Sequence, residues 1–449
     1  MGRLFGTDGA RGIANTELTW GLAMQIGRAA ACVLTEATHH RPLFLIGMDT
    51  RVSSEMLEAA MVAGLTSVGA DVTLLGVIPT PAVAYLVKKY GADAGIMISA
   101  SHNPCEYNGI KLFNGEGFKL SDQIEEQIEE IVLDRKTQLP SPVGGDLGRV
   151  RRADCAVDDY INHIASTVPC SLSGLKVALD CANGSASVTA KKLFTSLGAD
   201  VITIHDEPNG ININDHCGST HMDDLIETVK RYRCQAGLAF DGDADRCLAV
   251  DEQGNLVDGD RLIAIFADEM MKEGTLKNDT AVVTVMTNLG FFRFCESRGI
   301  KTCATKVGDR YVLEEMLKNG YKIGGEQSGH IIFLDHSTTG DGQLTGAQLL
   351  YVLRKHSERL SKLSSLMERF PQVLVNVRTD AKGKAKFPED TVIKERIDEA
   401  CKQLGRDGRV LVRISGTEHL IRVMVEGKDF DTINRIAVDL SDVIKERLQ

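Results

Sequence analysis

The chain has 449 residues, of which 43 % are apolar and 25 % charged, with a formal net charge of -11. A chain of this size holds about three domains at roughly 150 residues each, and its apolar share suffices for large buried cores. The acidic balance disfavours a protein that grips nucleic acid on a basic face. An anionic substrate has to be met by positive charge gathered in one cleft. The opening residues Met1 to Gly6 lack the apolar run of a signal peptide. No stretch approaches the roughly 18 apolar residues of a spanning helix, so no membrane partner is expected. The 11 cysteines are scattered without a C-x-x-C pair. They read as free thiols in a reducing cytoplasm rather than as a zinc ribbon or redox dithiol.

In chain order, Leu43–Ile46, Val72–Leu75 and Ala94–Ile98 read as short buried strands, with helical apolar spacing over 53–69 and 80–90 between them. This β-α-β alternation predicts a mixed, mostly parallel sheet covered on both faces. Residues 136–154, rich in Pro, Gly and charge, read as a boundary. The pattern recurs with strands at Lys176–Leu179, Val201–Ile204 and Ala236–Phe240 and a helix at 186–197. A third unit has strands near 281–287, 301–305 and 330–334 and helices near 290–298 and 310–318. After Pro371 the pattern changes to strands near 373–378, 409–414 and 420–426 with helices near 389–404 and 430–447. The expected architecture is three similar α/β domains, 1–150, 151–250 and 251–368, followed by a smaller α+β domain, 369–449.

Four segments carry chemistry. Ile98-Ser99-Ala100-Ser101-His102-Asn103-Pro104 follows an apolar strand, so it lies at a strand's C-terminal end, where open α/β sheets place ligands. A capped turn with an ordinary serine is the plain alternative. A serine hydrolase fits poorly, because the G-x-S-x-G elbow is missing. Next, Asp241, Asp243 and Asp245 stand at every second position of Phe240–Arg246. In an extended loop this spacing points three carboxylates one way, where they repel unless a cation lies among them. Hard oxygen ligands suit Mg²⁺ or Ca²⁺. Gly242 and Ala244 are small enough for the backbone to curl around an ion. An EF-hand is disfavoured: Glu252 falls at its last ligand position, but Arg246 stands where glycine is required and both flanks look like strands. A solvated acidic loop is the other reading.

The third segment, Gly324-Gly325-Glu326-Gln327-Ser328-Gly329-His330, allows close backbone approach, and Glu326 and Ser328 can bond sugar hydroxyls. A glycine-rich hairpin is the alternative. The fourth, Arg413-Ile414-Ser415-Gly416-Thr417-Glu418 followed by Arg422, has the guanidiniums and hydroxyls of a phosphate nest, or of an ordinary strand-turn-strand with surface arginines. Phe5–Gly12 is a further Gly-rich loop bearing Arg11.

Taken in order, FGTDGARG, ISASHNP, YNGIKLF, DGDADR, GGEQSGH and RISGTEHLIRVMVEG resemble the motif set of the α-D-phosphohexomutase superfamily over essentially the whole chain. ISASHNP and the glutamine of GGEQSGH point to its glucosamine branch. The resemblance implies a four-domain, heart-shaped enzyme with a central cleft, cytoplasmic, that interconverts glucosamine 6-phosphate and glucosamine 1-phosphate for UDP-N-acetylglucosamine and envelope synthesis. It implies phosphorylated Ser101, one Mg²⁺ held by that phosphate and by Asp241, Asp243 and Asp245, and a sugar bisphosphate as intermediate and activator. Glu326 and Ser328 become sugar contacts. Arg413, Ser415, Gly416, Thr417 and Arg422 become phosphate contacts. Arg11 and Lys111 lie near the transferring group. Lys111, Arg11 and His330 stay open as the general base. The family usually carries proline where this chain has Ile414 and His419, and isoleucine where it has Ala10. Alternatives are a phosphomannomutase or phosphoglucomutase, a Mg²⁺-dependent phosphatase and a non-catalytic sugar-phosphate sensor. The hexosamine phosphate is the expected partner, nucleic acid is not, and a homodimer is allowed.

Overall fold

The computed structural model describes residues 3–6, 8–35, 39–134, 137–415 and 419–448. The chain divides into two compact units, Met1–Met286 with Ile300–Leu366, and Thr287–Gly299 with Met367–Gln449.

The first unit holds three sheets. The first comprises β1 (Phe5–Gly6), β2 (Gly9–Ile13), β3 (Leu43–Met48), β4 (Asp71–Val77), β5 (Ala94–Ile98), β6 (Tyr107–Asn114) and β7 (Val150–Arg152), in the order β1-β2-β6-β5-β3-β4-β7. Strands β5, β3, β4 and β7 run parallel, while β6, β2 and β1 pair antiparallel along the other edge. Strand β5 is buried along its whole length, as the uninterrupted Ala-Gly-Ile-Met-Ile run requires of a central strand covered on both faces. Helices Val52–Ser67 and Thr80–Tyr90 lie within one or two residues of their expected bounds. The helix Trp20–Leu34 escaped the sequence reading because its buried face is mainly alanine and glycine, which gives a weak apolar period. The expected boundary 136–154 contributes β7, whose Val-Arg-Arg residues are all exposed and so carry no apolar signal.

The second sheet comprises β8 (Lys176–Asp180), β9 (Asp200–Ile204), β10 (Ala236–Phe240), β11 (Cys247–Asp251) and β12 (Leu256–Val257), in the order β12-β11-β10-β8-β9. The third comprises β13 (Thr280–Thr284), β14 (Lys301–Thr305), β15 (Ile323–Gly325) and β16 (Ile331–Phe333), in the order β14-β13-β15-β16. Both repeat the plan of the first: a parallel core with antiparallel strands on one edge.

In the second unit, β17 (Gln372–Arg378), β18 (Gly408–Ile414) and β19 (Leu420–Gly427) form an antiparallel sheet, β17-β19-β18. Val377, Ile421, Val423 and Val425 pack against Ile433, Ile436, Ala437, Leu440 and Ile444 of the helix Phe430–Leu448. The helix Leu289–Arg298 groups with this unit, and Asn288, its N-cap, donates to Glu426 Oε1 and to the Phe370 carbonyl, each at 3.0 Å.

Candidate active site

Ser101 sits just past the C-terminal end of β5, fully buried, in left-handed backbone conformation with φ +52. A serine pays for that conformation, and such outliers persist only where the surroundings hold them. Here the hold is visible. The Ser101 N–H donates to Ser99 Oγ at 2.9 Å. The Ser101 carbonyl accepts from Arg51 Nη2 at 3.2 Å and Asn214 Nδ2 at 2.9 Å. The same two donors reach the Asn103 carbonyl at 2.5 and 3.0 Å. Arg51 is itself fixed by a fully buried ion pair with Asp49. Asn214→Gly keeps the left-handed backbone that Asn214 adopts, φ +57, and removes both its hydrogen bonds. It is expected to lower stability by about 1–3 kcal/mol in urea denaturation and to reduce kcat more than KM, since the grip acts on the serine loop.

Ser101 Oγ donates to Asp241 Oδ2 at 2.6 Å. Asp241, Asp243 and Asp245 are buried, with one carboxylate oxygen of each within 4.8 Å of the others. Their convergence does not come from extended alternation. Residues 241–246 form a tight turn in which Ala244 has φ +56, so the backbone curls and brings the side chains together. Gly242 is small for a second reason: a Cβ there would lie 2.6 Å from the Ser101 carbonyl, so only glycine admits the serine loop. The flanks β10 and β11 are antiparallel strands, and Glu252 accepts instead from the Ser361 N–H at 3.2 Å. Both facts dispose of an EF-hand.

Lys111 Nζ, also fully buried, lies 2.8 Å from Asp243 Oδ2, 3.4 Å from Asp245 Oδ2 and 3.2 Å from Asp8 Oδ2. Burial disfavours its charge, but Asp243, Asp8 and Asp245 outweigh it and hold its pKa well above the usual lysine value. At Asp241 the pull of Arg246 is the smaller effect. Burial, then Asp245 and Asp243, drive its carboxyl well above the ordinary range. Asp243 Oδ1 and Asp245 Oδ1 are buried and have no hydrogen-bond partner among the described residues. Each of these two carboxylates thus turns one oxygen to Lys111, while the other makes no hydrogen bond, that of Asp245 lying 3.8 Å from Arg246 Nε. An all-oxygen set with two buried atoms free of hydrogen bonds fits a hard divalent cation.

The network extends further than the motifs. Thr80 Oγ1 donates to Asp243 Oδ2 at 2.6 Å, Arg11 pairs with Asp8 at 2.5 Å, and Lys119 bridges Asp8 and Asp309 at 2.7 and 2.5 Å. His330 Nε2 lies 3.6 Å from Asp309 Oδ2 and 4.0 Å from Asp245 Oδ2 and accepts from the Gly340 N–H at 3.2 Å. His330 Nδ1 has no hydrogen-bond partner among the described residues. His102 Nδ1 lies 3.2 Å from Arg246 Nη1. Burial first, then Arg246 and Arg11, lower the His102 pKa to about 4, so it stays neutral beside Ser101.

Glu326 to His330 link β15 to the antiparallel β16, so this segment is indeed a glycine-rich hairpin. Glu326 Oε1 accepts from the Gly308 N–H at 3.1 Å, and Ser328 Oγ has no hydrogen-bond partner among the described residues. Burial raises the Glu326 pKa against the pull of His330.

In the second unit, Arg413 of β18 stands directly opposite Arg422 of β19. Like charges across a ladder repel, and burial, then Arg422, lower the Arg413 pKa. An anion between the two would relieve both effects. Ser415 is buried at the strand end, its N–H donating to the Leu420 carbonyl at 3.0 Å. Gly416 and Thr417 lie outside the described residues. Ile414 forms the last rung with Ile421, where proline would lack the N–H of a ladder residue. Ala10 is fully buried in β2 opposite Ile110, and His419 is exposed.

Four family descriptions match the chain in order: phosphoglucomutase/phosphomannomutase alpha/beta/alpha domain I over residues 2–139, domain II over 158–254, domain III over 258–370, and the C-terminal domain over 374–443. The chain belongs to the phosphoglucomutase/phosphomannomutase family. A phosphoglucosamine mutase of Acetivibrio thermocellus is 56 % identical over 448 residues, 100 % of both chains. Another of Clostridium novyi is 54 % identical over 447 residues, covering 100 % of this chain and 99 % of the relative. Among solved structures, a phosphoglucomutase/phosphomannomutase family protein of Burkholderia thailandensis superposes with a TM-score of 0.84 at 26 % identity, covering 99 % of this chain and 98 % of that one. An Aspergillus fumigatus N-acetylphosphoglucosamine mutase, crystallised with GlcNAc-6P and magnesium, shares the fold with a TM-score of 0.72 at 16 % identity, covering 99 % and 96 %.

Members of this phosphoglucomutase/phosphomannomutase family are phosphotransferring mutases, which makes the chain an isomerase with a metal cofactor. Asp241, Asp243 and Asp245 are the residues that would hold the ion. All eleven cysteines are unpaired, and no helix among the described residues is long and apolar enough to cross a membrane. Asp8 and Arg246 lie inside quoted motifs and were readable as charged neighbours. Thr80, Lys119, Asp309, Arg51 and Asn214 lie outside them, and the sequence offered no signal for any of the five.

Proposed function

We propose that this protein interconverts glucosamine 6-phosphate and glucosamine 1-phosphate, with Ser101 as phosphoryl carrier, a sugar bisphosphate as intermediate and activator, and Mg²⁺ as the ion at Asp241, Asp243 and Asp245. The supporting observation is a buried serine hydroxyl 2.6 Å from one carboxylate of a cluster whose other two carboxylates each keep an oxygen without a hydrogen bond. Relatives of 54–56 % identity over the full length, all phosphoglucosamine mutases, support the choice of sugar. A bound Mg²⁺ supplies charge neutralisation at the transferring phosphoryl group. Lys111, fixed as a cation by three aspartates, adds a buried positive charge beside it. Arg11, anchored by Asp8, adds a second. These two are therefore poor proton acceptors. Of the three side chains left open as general base, His330 is the one not held as a cation by a close ion pair, its Nε2 lying 3.6 Å from Asp309 Oδ2 and 4.0 Å from Asp245 Oδ2. Glu326 and Ser328 hold sugar hydroxyls. Arg413, Ser415, Gly416, Thr417 and Arg422 hold a substrate phosphate. The four-domain division of the chain and a cytoplasmic setting, consistent with eleven unpaired thiols, belong to the same reading.

The test compares turnover of glucosamine, glucose and mannose 6-phosphates in the presence of a catalytic amount of sugar bisphosphate. The glucosamine substrate is expected to lead in kcat/KM by at least about tenfold, a difference one mispaired amino or hydroxyl contact supplies. EDTA is expected to stop turnover and Mg²⁺ to restore it. A lead for glucose or mannose phosphate would shift the assignment to that sugar, and inorganic phosphate as the main product would make the protein a phosphatase.

A further inference from the structure

Three residues outside this machinery meet beyond the strand ends of the second sheet. Asp180 ends β8, His205 follows β9, and Cys217 lies in the irregular segment after it. One ligand atom of each lies within 4.8 Å of the other two. Asp180 and Cys217 are fully buried, and the His205 side chain is 25 % exposed. His205 takes a left-handed backbone, φ +49, costly for a residue with a side chain. Its Nδ1 lies 3.1 Å from Asp180 Oδ2, while its Nε2 lies 3.2 Å from Asp224 Oδ2. Asp180 also accepts from the Ala182 and Gly218 N–H groups, each at 2.9 Å. Cys217 Sγ receives only a long contact from Asn183 Nδ2 at 3.9 Å.

We propose that Asp180, His205 and Cys217 form a second cation site that takes a borderline-soft divalent ion, such as Zn²⁺ or Co²⁺, in preference to Mg²⁺. Carboxylate, imidazole and thiolate together are a donor set for such ions, whereas the three aspartates of the first site suit a hard ion. Tetrahedral bonds of about 2.0–2.3 Å set ligand atoms roughly 3.3–3.8 Å apart, so the cluster needs to close by little more than about an ångström. The outer contact is already in place. With the ion on Nδ1, the Nε2–H of His205 donates to Asp224, the carboxylate–histidine–metal arrangement that orients ligating imidazoles. The ion takes the place of the proton on Nδ1 and of the thiol proton of Cys217. Binding therefore releases protons. Water completes the coordination. The site also touches the serine grip: the Asn183 N–H donates to the His205 carbonyl at 2.7 Å, and the Asn214 N–H to the Ala182 carbonyl at 2.9 Å.

The test reads metal rather than turnover. The full chain, stripped with EDTA and then supplied with excess Mg²⁺, is titrated with Co²⁺. One equivalent is expected to produce a thiolate-to-cobalt charge-transfer band in the near ultraviolet, with proton release. Cys217→Ser is expected to lose that band. Asp224→Asn, at a side chain 61 % exposed, is expected to keep the fold and weaken Co²⁺ binding about 10–100-fold. No band in the unaltered chain, or an equal band in Cys217→Ser arising from exposed Cys155, Cys170 or Cys401, overturns the proposal. If Cys217→Ser does not fold, unchanged Co²⁺ affinity in Asp224→Asn overturns it alone.

Discussion

Ser101→Ala is expected to abolish mutase turnover, a loss on the order of 10⁵-fold or more, the scale of deleting an enzymic nucleophile. The variant should remain folded. What holds the serine loop is main chain: the Ser101 N–H bonded to Ser99, and the carbonyl held by Arg51 and Asn214. Alanine keeps all three contacts and faces the same left-handed backbone. The side chain gives up its hydrogen bond to Asp241 and a longer contact of 3.3 Å to His102 Nδ1, each worth about 0.5–1.5 kcal/mol at most. Thermal unfolding should therefore shift little while turnover vanishes. Incubation with a sugar bisphosphate should add one phosphate to the peptide containing Ser101 in the unaltered protein and none to the variant. A folded variant retaining a tenth of the activity would show that the phosphoryl group travels by another residue.

Lys111→Met is expected to cost about 3–5 kcal/mol of stability, the penalty for leaving buried charges unpaired, and roughly 10²–10³ in kcat, the scale for losing one preorganised charge at a transition state. Lys111 faces three carboxylates, Asp243, Asp8 and Asp245, at 3.4 Å or less, and is itself fully buried. The sign of the pH dependence follows from the shifts. Because the folded Lys111 pKa is raised, its own contribution is complete below the unfolded lysine value and is lost only in strong alkali. Asp8 titrates the other way. Burial opposes its charge, but Lys111, Lys119 and Arg11 depress its pKa well below the carboxylate range, so that stabilisation is present at neutral pH and lost as pH falls through the folded value. The unaltered protein thus loses more in acid than the variant does, and the stability gap between them should narrow below about pH 4. Urea titrations at neutral and acid pH measure the gap. In the double variant with Asp243→Asn, the cost should fall short of the sum of the single costs by about 1 kcal/mol or more. A single-variant cost below about 1 kcal/mol at neutral pH would show that Lys111 does not neutralise this cluster.

Much of this protein is written locally. The run Ala94–Ile98 can only be a strand covered on both faces, and the polar Ser99–Pro104 that follows can only be the turn at its end, so the position of Ser101 follows from a dozen residues. Asp241, Asp243 and Asp245 suggest a cation site because three carboxylates within five residues repel unless positive charge lies among them. Arg413 and Arg422 lie in strands whose alternation is plain, and a short loop makes them cross-strand neighbours. Other features depend on where the chain goes after hundreds of residues. The left-handed Ser101 is tolerable because Arg51 and Asn214 hold its carbonyl, and those two lie 50 and 113 positions away. Lys111 reaches the acidic loop across 132 positions, and Lys119 reaches Asp309 across 190. Local periodicity reports which face of an element is buried; it is silent on which distant element covers that face. Strand β7 shows the same limit from the other side: three exposed residues form a strand only because the open edge of β4 offers them hydrogen bonds. Sequence alone therefore determined most of the elements, the strand-end position of Ser101 and the acidic loop. The buried charges that hold them in working order were decided by the tertiary fold, because Coulombic and hydrogen-bond pairing acts through space between residues the sequence keeps far apart.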